Sequence, residues 1–188
     1  MSLLFAIQDT LTNFMPMLAQ AGSALPTAEP GLAISIQKAL VFAAAFMAIG
    51  LSALGSAYGC GVAACSAMGA WKKCYAQNRP APFQLLILVG APLSQTIYGM
   101  IVMFIIKGGA NVIDAAHSGL WIAYMLVGIL SGIAMGLSAM WQGLAAASGC
   151  DAFAESGKGF ANQMMALGIV ETVAIFVLAF SIVLLSSL

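Results

Sequence analysis

Charge is what this sequence is shortest of. Its 188 residues hold six Lys and Arg against six Asp and Glu, so 6% of the chain is charged. A soluble domain carries about 25%, so this chain cannot clothe itself for water. The few basic residues form no stripe, which leaves nucleic acid out as a partner. The polar/apolar alternation that a transmembrane β-barrel needs is also missing. Four cysteines are present, Cys60, Cys65, Cys74 and Cys150, in neither a CxxC pair nor a zinc spacing. Cys60 and Cys65 lie among small apolar residues and read as small hydrophobes. There is no nucleotide-binding motif, so no ATP chemistry is expected of the chain itself.

What the sequence has in abundance is hydrocarbon, at 62% of residues. Four apolar stretches run over roughly 36–66, 84–106, 119–149 and 160–187. Each exceeds the ~20 residues that cross a bilayer as a helix, and lipid forces the backbone to satisfy its own hydrogen bonds. The expected fold is an all-α membrane protein with four transmembrane helices, over about 34–70, 84–106, 119–148 and from 160 almost to the end. Residues 35–106 form a first hairpin and 119–188 a second. Residues 1–34 read as a peripheral extension. Within it, Leu3, Leu4, Phe5, Ile7, Leu11, Phe14 and Met15 suit a short interfacial helix. A signal segment is the rival reading, but it would lack its basic leading region. Pro16, Pro26 and Pro30, with Gly22 and Gly31, are expected to break the chain there.

The two hairpins are related. Residues 48-AIGLSAL-54 reappear as 134-AMGLSAM-140, and 95-QT-96 as 171-ET-172. Two hairpins in the same orientation follow, unlike the inverted repeats of many transporters. The 71–83 connection carries Lys72, Lys73 and Arg79 and no acid, so it should face the cytoplasm together with the 149–159 turn. Gly55 and Gly59 in the first helix, and Gly128, Gly132 and Gly136 in the third, recur at intervals of four and so share a face. Small faces let backbones approach closely in lipid. The first and third helices are thus candidates for a crowded inner layer, and the bulkier second and fourth for an outer one.

Glu171 is the only acid inside the four stretches. A carboxylate in hydrocarbon is costly and usually marks an ion path. Other oxygen-bearing groups recur at comparable depth: Ser94, Gln95 and Tyr98 in 91-APLSQTIYG-99, and Gln142 in 139-AMWQG-143. Pro92 lacks an N–H and should free a carbonyl near Leu88, and a distorted helix there could also expose the carbonyl of Ala91. Thr172 could support the carboxylate from behind. Such oxygens can coordinate a hard cation, or the amides and hydroxyls can hold the carboxylate.

On these residues the core, roughly 34–188, resembles the four-helix proteolipid of rotary V-type and A/V-type ATPases. The matched features are the Gly-rich first helix, 92-PLSQ-95 with Tyr98, 142-QGLAAASG-149 and 170-VETVAI-175. The resemblance implies a duplicated hairpin assembling into a two-layered, homo-oligomeric rotor ring in contact with membrane lipids. It assigns the ion-carrying role to Glu171, side-chain ligation to Ser94, Gln95 and Gln142, a bond to the carboxylate to Tyr98, and a backbone ligand to Ala91. Ser94 stands where threonine is commoner, and the third helix offers more than one register around Gln142.

The implied mechanism carries a cation past a stator subunit whose essential arginine attracts the emptied carboxylate. A central-stalk subunit would meet the cytoplasmic loops. Sodium is the favoured cargo because the shell is rich in oxygen, with the proton as the alternative. The implied location is a bacterial or archaeal plasma membrane. A small oligomeric channel or carrier, or a structural bundle using Glu171 only to join helices, are the competing readings.

Overall fold

A computed structural model describes residues 30–188. The short interfacial helix expected near the N-terminus falls outside them. Among the described residues all regular structure is helical. Helix α1 runs Pro30–Ala76, α2 Leu85–Gly90, α3 Ser94–Gly109, α4 Leu120–Ser156 and α5 Phe160–Ser186, with a 3-10 turn, Ala91–Leu93, joining α2 to α3. The four spans α1, α2–α3, α4 and α5 are long and apolar enough to cross a membrane, and the chain is a multi-pass integral membrane protein.

Several helix ends differ from the expected ones. Pro30 opens α1 instead of breaking the chain; a proline in the first turn lacks an N–H that would have had no helical partner anyway. At its other end α1 continues to Ala76, and the chain reverses through Asn78, whose φ is +50°. Helix α4 carries on through 149–156 as well, so the turn expected over 149–159 shrinks to Gly157–Gly159. Gly157 ends it in the left-handed region (φ +64°), and its N–H donates to the Phe153 carbonyl. At 47 and 37 residues, α1 and α4 reach about 70 and 55 Å at 1.5 Å per residue, well beyond a hydrocarbon core of about 30 Å.

The compact unit is Gln37–Leu188, and its centre is the α1/α4 crossing. A Cβ placed on Gly55 would collide with the Gly136 carbonyl, and one on Gly143 with the backbone of Gly59. A Cβ on Gly132 would lie 2.7 Å from the Met47 carbonyl, and one on Gly128 2.5 Å from that of Ala44. The expected small faces therefore meet each other, and only glycine allows backbones this close. Ser66 Oγ adds a bond to the Ala147 carbonyl at 2.8 Å.

The other helices pack outside this pair. On α3 the buried residues are Gln95, Gly99, Val102, Ile106 and Gly109, steps of four and three that trace one stripe. On α5 they are Leu167, Ala174, Ser181 and Leu185, a narrower stripe, while Phe176 and Phe180 point outward. At the end that carries the 77–84 and 157–159 connections, Ala67, Cys74, Leu88, Ala146, Cys150 and Leu167 share one apolar cluster. All four cysteines are free thiols.

That end is also tied together by Arg79. Its guanidinium donates to the carbonyls of Ala154 (3.2 Å) and Glu155 (3.5 Å), the last turn of α4, where unpaired carbonyls and the helix dipole favour a cation. Lys73 pairs with Glu155 at 3.6 Å, an exposed pair that adds little. At the opposite end Asp114 accepts the backbone N–H groups of Ala116 and His117. Those bonds, the one from His117 foremost, hold its carboxyl below the ordinary range.

Candidate functional site

Glu171 lies near the middle of α5, four residues after Leu167 and three before Ala174, so it falls on the helix's buried stripe. It is half-buried. Gln95 lies on the stripe of α3, and Gln142 on the inner face of α4; both are fully buried. Three helices thus deliver polar groups to one place, and each does so at a position its helical period already turns inward.

Tyr98 Oη donates to Glu171 Oε1 at 2.6 Å, the length of a hydrogen bond strengthened by charge. Gln142 Nε2 lies 3.4 Å from Glu171 Oε2 and donates to the Leu167 carbonyl at 3.1 Å. Gln95 Nε2 donates to Gln142 Oε1 at 2.7 Å. Gln142 is therefore the hinge of the site, accepting from α3 and donating to α5.

The break at Pro92 shapes the third side. The Ala91 N–H donates to the Leu88 carbonyl, so that oxygen is not freed, contrary to the expectation from proline alone. The 3-10 turn re-satisfies it with a shorter step. The Ser94 N–H bonds the Ala91 carbonyl. Ser94 Oγ lies 3.1 Å from Ala91 O and 3.2 Å from Gln95 Oε1. A single hydroxyl proton is shared between two acceptors, and the three oxygens crowd together beside the amide chain leading to Glu171.

The structure thus brings Glu171, Tyr98 and Gln142 into direct contact, joins Gln95 through Gln142, and gathers Ser94 and the Ala91 carbonyl around Gln95. Ser94 and Gln95 do not touch the carboxylate themselves. Thr172 is exposed and donates to the Ile169 carbonyl of its own helix at 2.7 Å, so it does not join the site. Two participants escaped sequence reasoning. The Leu167 carbonyl was signalled by its place one turn before Glu171. Ser138, whose Oγ lies 3.2 Å from the Val170 carbonyl, was not, because that contact depends on how α4 and α5 are aligned.

Chemically, every neighbour now touching the carboxylate is a donor. A carboxylate held this way can keep its charge only while donors or a cation face it; in hydrocarbon it must be neutralised. Ser94, Gln95, Gln142 and Ala91 supply oxygens nearby, the kind of ligand a hard cation takes.

Comparison with known proteins adds a likeness for most of the chain. Residues 122–184 match the family of the ATP synthase C subunit. Over 140 residues the chain is 33% identical to a protein of Methanocaldococcus jannaschii named A-type ATP synthase subunit K. That alignment covers 74% of this chain and 58% of the relative, so the chain spans little more than half of the relative's length.

Proposed function

We propose that the chain belongs to the proteolipid family of A/V-type ATPases, which it resembles, and that it is a rotor-ring subunit that carries sodium across the membrane on Glu171. The observation that carries this reading is the bridge from Tyr98 through Glu171 to Gln142 and Gln95, with the Ser94 and Ala91 oxygens beside it. Loading a sodium ion asks two rearrangements of these groups. The Ser94 hydroxyl proton turns away from Ala91, and the Gln142 oxygen leaves the Gln95 amide for the ion, so that the ion's bonds replace the one given up. Tyr98 stays on Glu171 Oε1 and holds the carboxylate in place during the exchange. A neutral, loaded site can then face lipid.

In this reading copies of the chain form a homo-oligomeric ring in a bacterial or archaeal plasma membrane, with the 77–84 and 157–159 connections in the cytoplasm. The emptied carboxylate meets an arginine of a stator subunit, and aqueous access there permits release and reloading. Each charge moved across 100 mV is worth about 2.3 kcal/mol. A central-stalk subunit on the connections couples rotation to ATP chemistry in a separate soluble head.

Labelling with a hydrophobic carbodiimide tests the cargo. With the protein in its membrane, Glu171 should be labelled in the absence of sodium and protected by sodium, but not by an equal concentration of a bulky organic cation. Glu171→Gln should abolish both labelling and ion transfer while leaving assembly intact. Labelling that ignores sodium at every pH, with transport retained, would replace sodium by a proton. Full transport by Glu171→Gln would remove the carboxylate from the mechanism.

A further inference from the structure

The contact between the two hairpins inside one chain, carried through the internal repeat, specifies how one copy would meet the next. In α1 and α4 equivalent residues are 86 apart, as 48-AIGLSAL-54 and 134-AMGLSAM-140. Inside the chain, Gly55 and Leu51 of α1 pack on Gly136 of α4, and Leu51 and Met47 on Gly132. Replacing each α1 residue by its α4 equivalent, and each α4 residue by its α1 equivalent, turns these pairs into Trp141 and Leu137 on Gly50, and Leu137 and Ile133 on Phe46. The same step turns Ala44 on Gly128 into Leu130 on Phe42.

Nothing in the repeat itself requires the resulting residues to be uncovered, yet all of them are at least partly so. Trp141 is 66% exposed and Phe46 70%. They also line grooves on the two flanks. One groove, of about 320 Å³, is walled by Phe46, Met47, Gly50, Leu51 and Leu54; the other, about 510 Å³, is lined by Leu137, Trp141, Ile169 and Val170 among others. Shape agrees as well. Gly50 leaves a notch beside Phe46, where an added Cβ would lie 3.7 Å from the ring, and the largest side chain of the opposite flank is the one assigned to it. Trp141 also stands next to Gln142, at the depth of the carboxylate, whereas a tryptophan that anchors a helix in lipid belongs at the interface.

We infer that the occupant of the Phe46–Gly50 groove is Trp141 of a second copy of this chain, so that copies join head to tail in the register of the internal hairpin contact. This inference rests on the ring reading above and adds to it the residues and register of the joint. Such a heterologous interface uses two different patches and closes into a ring when its rotation allows. The joint also brings the neighbouring copy against Val170 and Ile169, the residues preceding Glu171, so each carboxylate would be walled partly by the next subunit.

Cysteine cross-linking in native membranes tests the register. Gly50→Cys with Trp141→Cys in one chain should give, on mild oxidation, a ladder of covalent multimers holding most of the protein. Each single variant should leave it at the background of the native cysteines. Ala57→Cys with Trp141→Cys, two turns out of register, should not cross-link above that background. A ladder from the shifted pair, or none from the first pair in an assembly that remains multimeric by native mass, overturns the register and leaves the ring standing. A wild-type protein of monomeric native mass overturns both. Should the double variant fail to assemble, a photoreactive phenylalanine analogue at position 141 decides the matter: capture of residues 42–54 of another copy supports the joint, and capture of any other segment refutes it.

Discussion

Tyr98 makes the shortest contact to Glu171, at 2.6 Å. Tyr98→Phe keeps the ring and removes one hydrogen bond to a charged group, worth about 1.5–3 kcal/mol. Sodium retention should fall about 10- to 100-fold at 1.4 kcal/mol per decade, read as a higher sodium concentration needed to protect Glu171 from carbodiimide. An unchanged sodium requirement would show that the phenol is only a spacer. At this scale the sequence was most informative. A lone acid among apolar residues, and a Ser, Gln and Tyr within one turn and a half of helix, announce themselves by cost. The hydroxyl rotamer of Ser94 and the two-sided bonding of Gln142 do not, because the first is decided by the 3-10 turn at Pro92 and the second by groups on two other helices, 25 to 47 residues away.

At the scale of helices, the α1/α4 crossing separates glycines that matter from those that merely occur. Gly55→Ala places a methyl against the Gly136 backbone and should force the helices apart, at about 1–3 kcal/mol for overpacking. Gly69, on the same helix, has open space around its Cβ position; Gly69→Ala should be neutral or stabilising by up to about 1 kcal/mol. Thermal or denaturant unfolding in detergent should rank the two variants in that order, and equal stability would mean the crossing is looser than its geometry. Four-residue spacing revealed this face in advance, since it is a local property of one helix. The helix ends were less legible. Continuation of α1 to Ala76 and of α4 to Ser156 depends on the Arg79 contacts and on the packing of Phe153 against Phe160, ring centres 5.6 Å apart. The Arg79 contacts join residues 75 apart, which no window on the sequence contains.

For the molecule as a whole, the duplication makes a quantitative demand. Moved through the repeat, Glu171 becomes Gln95, Tyr98 becomes Ala174, Ser94 becomes Val170 and Gln142 becomes Ser56. The second equivalent site has thus lost its acid and most of its oxygens, and each chain should bind one sodium ion. Radioactive sodium counted against protein in the purified assembly should give a ratio near one; a ratio near two would mean the repeat hides a second working site. The pairing of Gln95 with Glu171 could be read from the sequence, but the loss of the surrounding groups could not, because it took the structure to say which residues surround Glu171.

The clasp of Arg79 on the last turn of α4 has a mechanical side. The strap between α1 and α2 is tied by its guanidinium to the foot of the other hairpin, so a sideways push on that strap is shared between the two halves of the subunit instead of falling on one.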